Sequence, residues 1–333
     1  MDLKHVSCNL CGSDQAIPFL MARDRGWGSF SLVQCVECGL VYTNPRPSVH
    51  SIGQYYPDWY YSYRKSSTGL ASDLKWLITQ VIAEEYWGYD VTSGDKSGIL
   101  GRIPRWMWRG LAWWYRHKLC RLPPYHPSGK VLDVGCGNGS YLDHLRRLGW
   151  EVRGVEIAQR AVETARQQFG IDVFCGALEE AHFPNEHFDA VTLWHVLEHL
   201  HSPLESLREI RRILLRGGHL LLTVPNIASA QASLFGDKWI HLDLPRHLYF
   251  FTPATMRAML DKAGFTVEGM SLVSAPHCMS QSLDYTWSDW NRTDIERLNK
   301  TLRVFDDIVS LPLVTFFDIV GRGDVIFVRA QKD

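Results

Sequence analysis

Between residues 129 and 226 the chain alternates short apolar runs with amphipathic stretches. "GKVLDVGCG" (129–137) is an apolar strand ending in a glycine loop, and "GSYLDHLRRLG" (139–149) reads as an amphipathic helix closed by Gly149. "EVRGVEI" (151–157) is a second strand ending in Glu156, and "AQRAVETARQQFG" (158–170) a second helix, again closed by glycine. "IDVFCG" (171–176) gives a third strand, and "FDAVTLWHVLEHL" (188–200) a fourth with the loop after it. "PLESLREIRRILLRGG" (203–218) is a helix and "GHLLLTVPN" (218–226) a fifth strand. Strands and helices alternating at this length are βαβ units, which build a parallel sheet covered by helices on both faces.

Ahead of this block the pattern is less regular. Leu70, Leu74, Leu77, Ile78, Val81 and Ile82 recur at helical spacing within 70–88, and "GDKSG" (94–98) is a polar loop. In "GRIPRWMWRGLAWWYRHKLCRLPP" (101–124), Trp106, Trp108, Trp113 and Trp114 mingle with Arg102, Arg105, Arg109, Arg116 and Lys118. A basic, tryptophan-rich helix over 101–121 is a candidate for peripheral contact with an anionic membrane surface; the plain alternative is packing on its own protein. Further forward, "TNPRPSVHSIGQYYPDWYYSY" (43–63) crowds Tyr55, Tyr56, Trp59, Tyr60, Tyr61 and Tyr63, rings expected to pack between the front of the chain and the next domain. The chain thus divides into a cysteine ribbon (1–47), a helical, aromatic-rich connector or lid (48–128) and the α/β domain (129–333).

Composition narrows the function. The 333 residues are 46% hydrophobic, enough for one large domain and a smaller one. The net charge is −1, without the basic excess of a protein that grips phosphate backbones, so nucleic acid is not expected as a partner. No apolar run reaches the ~20 residues needed to span a bilayer. The longest, "IVSLPLVTFFDIV" (308–320), carries Pro312 and Asp318. No signal peptide is evident, and a cytoplasmic protein is expected; the oligomeric state stays open.

The eight cysteines are unevenly placed. "CNLCG" (8–12) and "CVECG" (35–39) hold four of them in two matched pairs, while Cys120, Cys136, Cys175 and Cys278 are scattered singly. A CxxC step points two thiolates at one ion, and glycine after the second cysteine permits the positive φ of such a knuckle. Cys8, Cys11, Cys35 and Cys38 therefore predict a structural Zn²⁺ site, closed by four sulfurs with no position for a catalytic water. "FSLVQC" (30–35) and "GLVYT" (39–43) are its expected strands. A redox dithiol would need only one pair. A nucleic-acid-binding ribbon would need a more basic face than Arg23, Arg25 and several acids provide.

In the α/β block, Gly135, Gly137 and Gly139 let the backbone turn sharply and approach a ligand. Glu156 ends the next strand, where an acid accepts ribose hydroxyls. The loop is DVGCGNG, without the GK[ST] of a phosphate-cradling P-loop. In these features the chain resembles the class I S-adenosylmethionine-dependent methyltransferases over roughly 129 to 330. The resemblance implies a seven-stranded Rossmann-like sheet whose last strand, here "GDVIFVRAQ" (323–331), runs antiparallel. It implies S-adenosylmethionine as cofactor, with Asp133 and Gly135 by its methionine part, Gly137 of the same loop also binding it, Glu156 on the ribose, and Ala177 and Leu178 along the adenine. Trp194 and His195 would line it after the fourth strand. Many relatives carry Asp where Ala177 stands, so backbone atoms are expected to meet the adenine amino group here.

The whole chain is similar to a narrower group in which a four-cysteine ribbon and "GLVYTNPRP" precede the methyltransferase domain, and in which "VPNIASAQASLFGDKWIHLDLPRHLYFFTPATMRAML" (224–260) recurs. That group implies small-molecule or glycan acceptors, including nucleotide- or lipid-linked sugars. Sugar C-methyltransferases share the ribbon and place their base in a Tyr-x-Glu-His stretch. Its counterpart here is Leu244-Pro245-Arg246-His247, which keeps the histidine and loses the orienting carboxylate unless Asp243 replaces it. His247 is accordingly the expected base; His199, after Glu198, is expected to be structural. Trp239, His241 and Asp243 fall where an acceptor pocket would form, and Arg246 would meet a substrate phosphate or a neighbouring acid. The competing readings are an RNA methyltransferase gripping substrate through the ribbon, a non-catalytic cofactor-binding scaffold, and an NAD(P) oxidoreductase.

Overall fold

The computed structural model of the chain describes residues 2–24, 26–56, 76, 79–84, 87–89, 122–287 and 300–333. Two compact units emerge. The first comprises Met1–Asp58, His195–Arg208 and Leu222–Arg329; the second comprises Trp59–Trp194, Glu209–Leu221 and Ala330–Asp333. The ribbon thus shares its unit with much of the C-terminal half. The expected tryptophan-rich helix over 101–121 lies outside the described residues, as do Trp59, Tyr60, Tyr61 and Tyr63; of the helix expected in 70–88, residues 79–84 are helical.

The chain opens with β1 (Leu3–Lys4), β2 (Ala16–Asp24), β3 (Gly28–Cys35), β4 (Val41–Thr43) and β5 (Arg46–Pro47). β3 and β4 are the two expected ribbon strands, paired antiparallel with Leu32 opposite Thr43. β2 is an addition, pairing antiparallel with β3. It is an edge strand whose Ile17, Phe19 and Met21 are exposed, so it lacks the alternation that marks a half-buried strand. Pro18 is tolerated because it sits at an edge, where the register shifts.

Next come β6 (Lys130–Val134), α1 (Ser140–Arg147), β7 (Glu151–Glu156), α2 (Gln159–Phe169), β8 (Val173–Cys175), β9 (Phe188–Trp194), α3 (Pro203–Ile213) and β10 (Leu214–Pro225). The order is the expected one, with one shifted boundary. The helix expected over 203–218 stops at Ile213, and the strand begins at Leu214. Lys332 Nζ donates to the Leu214 carbonyl, which a helix reaching Gly218 would use internally, and Gln331 donates to the carbonyl of Gly217. Then follow α4 (Ala230–Phe235), β11 (Tyr249–Phe250), α5 (Pro253–Ala263), β12 (Phe265–Val273), α6 (Pro276–Trp287), α7 (Lys300–Ile319) and β13 (Val325–Lys332).

The large sheet has seven strands in the order β12-β13-β10-β9-β6-β7-β8. β6 runs parallel to β7 and β9, and β7 to β8, while the last strand is antiparallel. In the second unit Val131, Leu145, Leu148 and Trp150 build the core behind β6 and α1. In the first, β11 extends the ribbon sheet, with Tyr249 opposite Tyr42. Phe30, Leu32 and Val41 of the ribbon share one core with Trp239, Leu242, Leu244 and Phe250. Among the described residues no helix is long and apolar enough to cross a membrane.

Candidate functional site

In the second unit, β6 leads into a loop where Gly135, Gly137 and Gly139 take φ of 69°, 53° and 78°. Side chains rarely adopt these angles. Gly139 is constrained twice, because a Cβ there would stand 2.9 Å from Ala165 Cβ on α2. β7 ends at the buried Glu156, whose two carboxylate oxygens accept N–H bonds from Gly137 and Ala158, each at 2.9 Å. The acid thus fixes the glycine loop, and each oxygen keeps a lone pair for a further donor. Burial raises its pKa against the pull of those N–H groups. Asp133 is buried and accepts from Thr192 Oγ1 at 2.6 Å. Burial pushes its carboxyl up to about 7, Thr192 opposing and the Glu156 charge adding.

Ala177 and Leu178 follow β8 in a short turn, where the Ala177 N–H donates to Glu180 Oε2 at 2.8 Å and Leu178 is buried. Trp194 ends β9 with its ring edge-on to Tyr141, centroids 5.4 Å apart. The second unit therefore gathers Asp133, Gly135, Gly137, Glu156, Ala177, Leu178 and Trp194 at or just past the carboxyl ends of neighbouring parallel strands, the usual ligand position in such sheets. The acceptor set fits a nucleoside carrying a charged amino-acid arm. Glu156 offers two fixed acceptors for vicinal hydroxyls, and Asp133 a carboxylate for an amino group. His195, next in the chain, belongs to the first unit and has a φ of 57°.

The first unit brings four histidines together. His195 stacks on His241 at 5.9 Å, and His199 meets His247 edge to face at 4.5 Å. His195 Nδ1 lies 3.2 Å from Glu198 Oε1. Glu198 is fully buried, and burial pushes its carboxyl up to about 7. His199 Nδ1 is 3.0 Å from the Tyr56 hydroxyl and 3.1 Å from the Arg246 carbonyl. His247 Nδ1 is 2.8 Å from the His241 carbonyl. A carbonyl only accepts, so Nδ1 carries the hydrogen and Nε2 keeps its lone pair. Burial, together with His199, holds the His247 pKa well below the ordinary histidine value, leaving the ring neutral at pH 7.

Asp243 does not take the place of an orienting carboxylate on Nδ1. It pairs with Arg246, which donates from Nε at 3.0 Å and from a terminal nitrogen, and its Oδ2 is 3.8 Å from His247 Nε2. A main-chain carbonyl does the orienting instead. Two participants carried no site signal in the sequence: Glu198, seen only as the neighbour of His199, and Tyr56, one ring among many. The ribbon holds the histidine's backbone, since Thr43 Oγ1 donates to the His247 carbonyl at 3.0 Å and the Thr43 N–H to that of Leu248 at 2.9 Å.

The four ribbon cysteines converge. Cys8 and Cys38 sulfurs are 3.4 Å apart, as are those of Cys11 and Cys35, and all four lie within 4.8 Å of one another. Gly12 and Gly39 take φ of 87° and 74° and return their N–H to the carbonyls of Cys8 and Cys35. Tetrahedral zinc with Zn–S near 2.3 Å sets sulfurs about 3.8 Å apart, so the cluster fits that ion.

Residues 107–269 match a family model described as a methyltransferase domain. A ubiquinone biosynthesis O-methyltransferase of Xanthomonas oryzae pv. oryzae is 34% identical over 156 residues, 43% of this chain and 65% of that protein. Its counterpart in Xanthomonas axonopodis pv. citri is 34% identical over 158 residues, 44% of this chain and 66% of that protein. The chain thus spans just under two thirds of the length of these relatives. An S-adenosylmethionine-dependent methyltransferase from Mesorhizobium loti, 18% identical, aligns with a TM-score of 0.42 over 62% of this chain and 92% of that one.

Proposed function

The chain carries a class I S-adenosylmethionine-dependent methyltransferase domain, and we propose that it transfers a methyl group to a small-molecule or glycan acceptor. Nucleotide- and lipid-linked sugars fall within that class. The observation that carries the reading is Glu156, an acid at the end of β7 whose two oxygens are fixed by backbone N–H groups beside the glycine loop. When bound, S-adenosylmethionine supplies a methyl group made electrophilic by the sulfonium charge. The protein's part is to hold it, align the acceptor and remove the acceptor's proton.

Glu156 would take the ribose hydroxyls, Asp133 the amino group, and Ala177, Leu178 and Trp194 the base and its surroundings. His247 would accept the proton at Nε2, its tautomer fixed by the His241 carbonyl. Cys8, Cys11, Cys35 and Cys38 would hold a structural zinc ion that takes no part in the transfer. A small acceptor is supported by the names of the relatives and by the net charge of −1. The test is to incubate the protein with methyl-labelled cofactor and a cell extract fractionated into small molecules and RNA. Label is expected in the small-molecule or glycan fraction; label confined to RNA, or no label despite cofactor binding, overturns the reading.

A further inference from the structure

Three metal-binding side chains meet elsewhere in the first unit, from positions far apart in the sequence. His241 lies in the turn after α4, Cys278 in the first turn of α6, and Asp324 just before β13. Their ligand atoms all fall within 4.8 Å of one another. Asp324 is fully buried and Cys278 nearly so, with 4% of its surface exposed. His241 Nε2 is 3.0 Å from Asp324 Oδ2, an ion-pair contact without the alignment of a well-formed hydrogen bond, and Cys278 is the ring's other polar neighbour. Both Nε2 and Oδ2 are shut off from solvent. Buried polar atoms in proteins are nearly always bonded, so this pair calls for a physical reason.

The surroundings of Asp324 narrow that reason. Its other oxygen accepts from Trp239 Nε1 at 2.8 Å and from Ser229 Oγ at 3.2 Å. Such outer donors fix a carboxylate that presents its remaining oxygen to a ligand. No lysine or arginine among the described residues pairs with Asp324. A divalent cation held by these three atoms would be bound by a neutral imidazole nitrogen and would offset the carboxylate and thiolate it coordinates. Sulfur, nitrogen and oxygen together make a donor set suited to zinc.

We propose that His241, Cys278 and Asp324 form a second divalent-cation site of the zinc type, supplying three protein ligands. The site uses none of the four ribbon cysteines. It would pin the turn containing His241, whose carbonyl accepts from His247, to α6 and to the segment entering β13.

Metal content measured by plasma mass spectrometry on the zinc-loaded, dialysed full chain tests this. Cys278→Ser and Asp324→Asn leave the ribbon cysteines intact, and each is expected to hold one zinc equivalent fewer than the parent. Equal zinc in the parent and both variants overturns the site. Should either variant lose its circular-dichroism signature, cobalt titration of the zinc-free parent decides. Two equivalents are expected, the second with a thiolate charge-transfer band far weaker than the first, one sulfur against four; saturation at one equivalent overturns the proposal. Because the readout is metal content, its failure is distinct from any failure of the methyltransferase reading.

Discussion

Replacing Glu156 by glutamine tests the proposed cofactor cradle at its narrowest point. The carboxylate accepts two backbone N–H bonds at 2.9 Å, from Gly137 and from Ala158. Glutamine keeps one acceptor, and its NH2 must face the second N–H, donor against donor. A hydrogen bond to a charged acceptor contributes about 1.5–3 kcal/mol, and a buried group left unpaired costs about 1–3 kcal/mol. The distortion of the glycine loop falls on the free and bound protein alike. What separates them is the ribose, which loses one of its two proposed acceptors. Affinity for S-adenosylhomocysteine is therefore expected to fall by about 2–3 kcal/mol, a factor of roughly 30 to 150. Titration calorimetry at pH 7.5 reads this directly, with circular dichroism to confirm the fold. A dissociation constant within threefold of the parent's, in a folded Glu156→Gln variant, would refute the assignment of this acid to the ribose.

His247→Asn keeps a donor to the His241 carbonyl but removes Nε2, so turnover is expected to fall about a hundredfold or more with cofactor affinity unchanged; steady-state kinetics within threefold of the parent would exclude His247 as base. Glu198 tests the electrostatics of the histidine cluster through stability. Burial raises its carboxyl from 4.5 to about 7, so the folded state holds the proton more tightly than the unfolded state, and stability is lost as pH rises from 4.5 through 7. Glu198→Gln cannot ionise and should gain about 2 kcal/mol on the parent between pH 5 and pH 8, or about 4–8 °C in relative Tm. Thermal melts at the two pH values check it, and a difference that does not change with pH contradicts the burial argument.

The parts of the molecule legible in the sequence are those where one local pattern does one job. Gly135, Gly137 and Gly139 signalled a turn and Glu156 a strand end because each feature is compact in sequence, and the structure joins them by the bond between Gly137 and Glu156. β2 escaped because Ile17, Phe19 and Met21 put apolar side chains on its exposed face at a sheet edge. The start of β10 was misplaced because the side chains that claim its carbonyls, Gln331 and Lys332, lie more than a hundred residues downstream. The orientation of His247 was illegible for another reason. A carboxylate partner leaves a mark in the sequence, whereas the main-chain carbonyl of His241 leaves none. Cys278 and Asp324 belong to the same class as β10, single residues whose partners are set only by the completed fold.

The same physics accounts for a cysteine ribbon at the front of this chain. β4 is three residues long, too short to persist as an isolated strand, and it is paired on both sides, by β3 and by β11. β3 ends at Cys35, and Gly39 closes the knuckle that leads into β4, so four sulfurs gathered on one ion would fix where β4 begins. From there Thr43 reaches the carbonyls of His247 and Leu248, while Phe30, Leu32 and Val41 enter the core that holds Trp239, Leu242 and Leu244. The segment from Trp239 to Phe250 has no regular element of its own beyond short turns and a two-residue strand. Its shape therefore leans on pairing and packing against the ribbon sheet. A ribbon placed this way holds the backbone of His247, the proposed base.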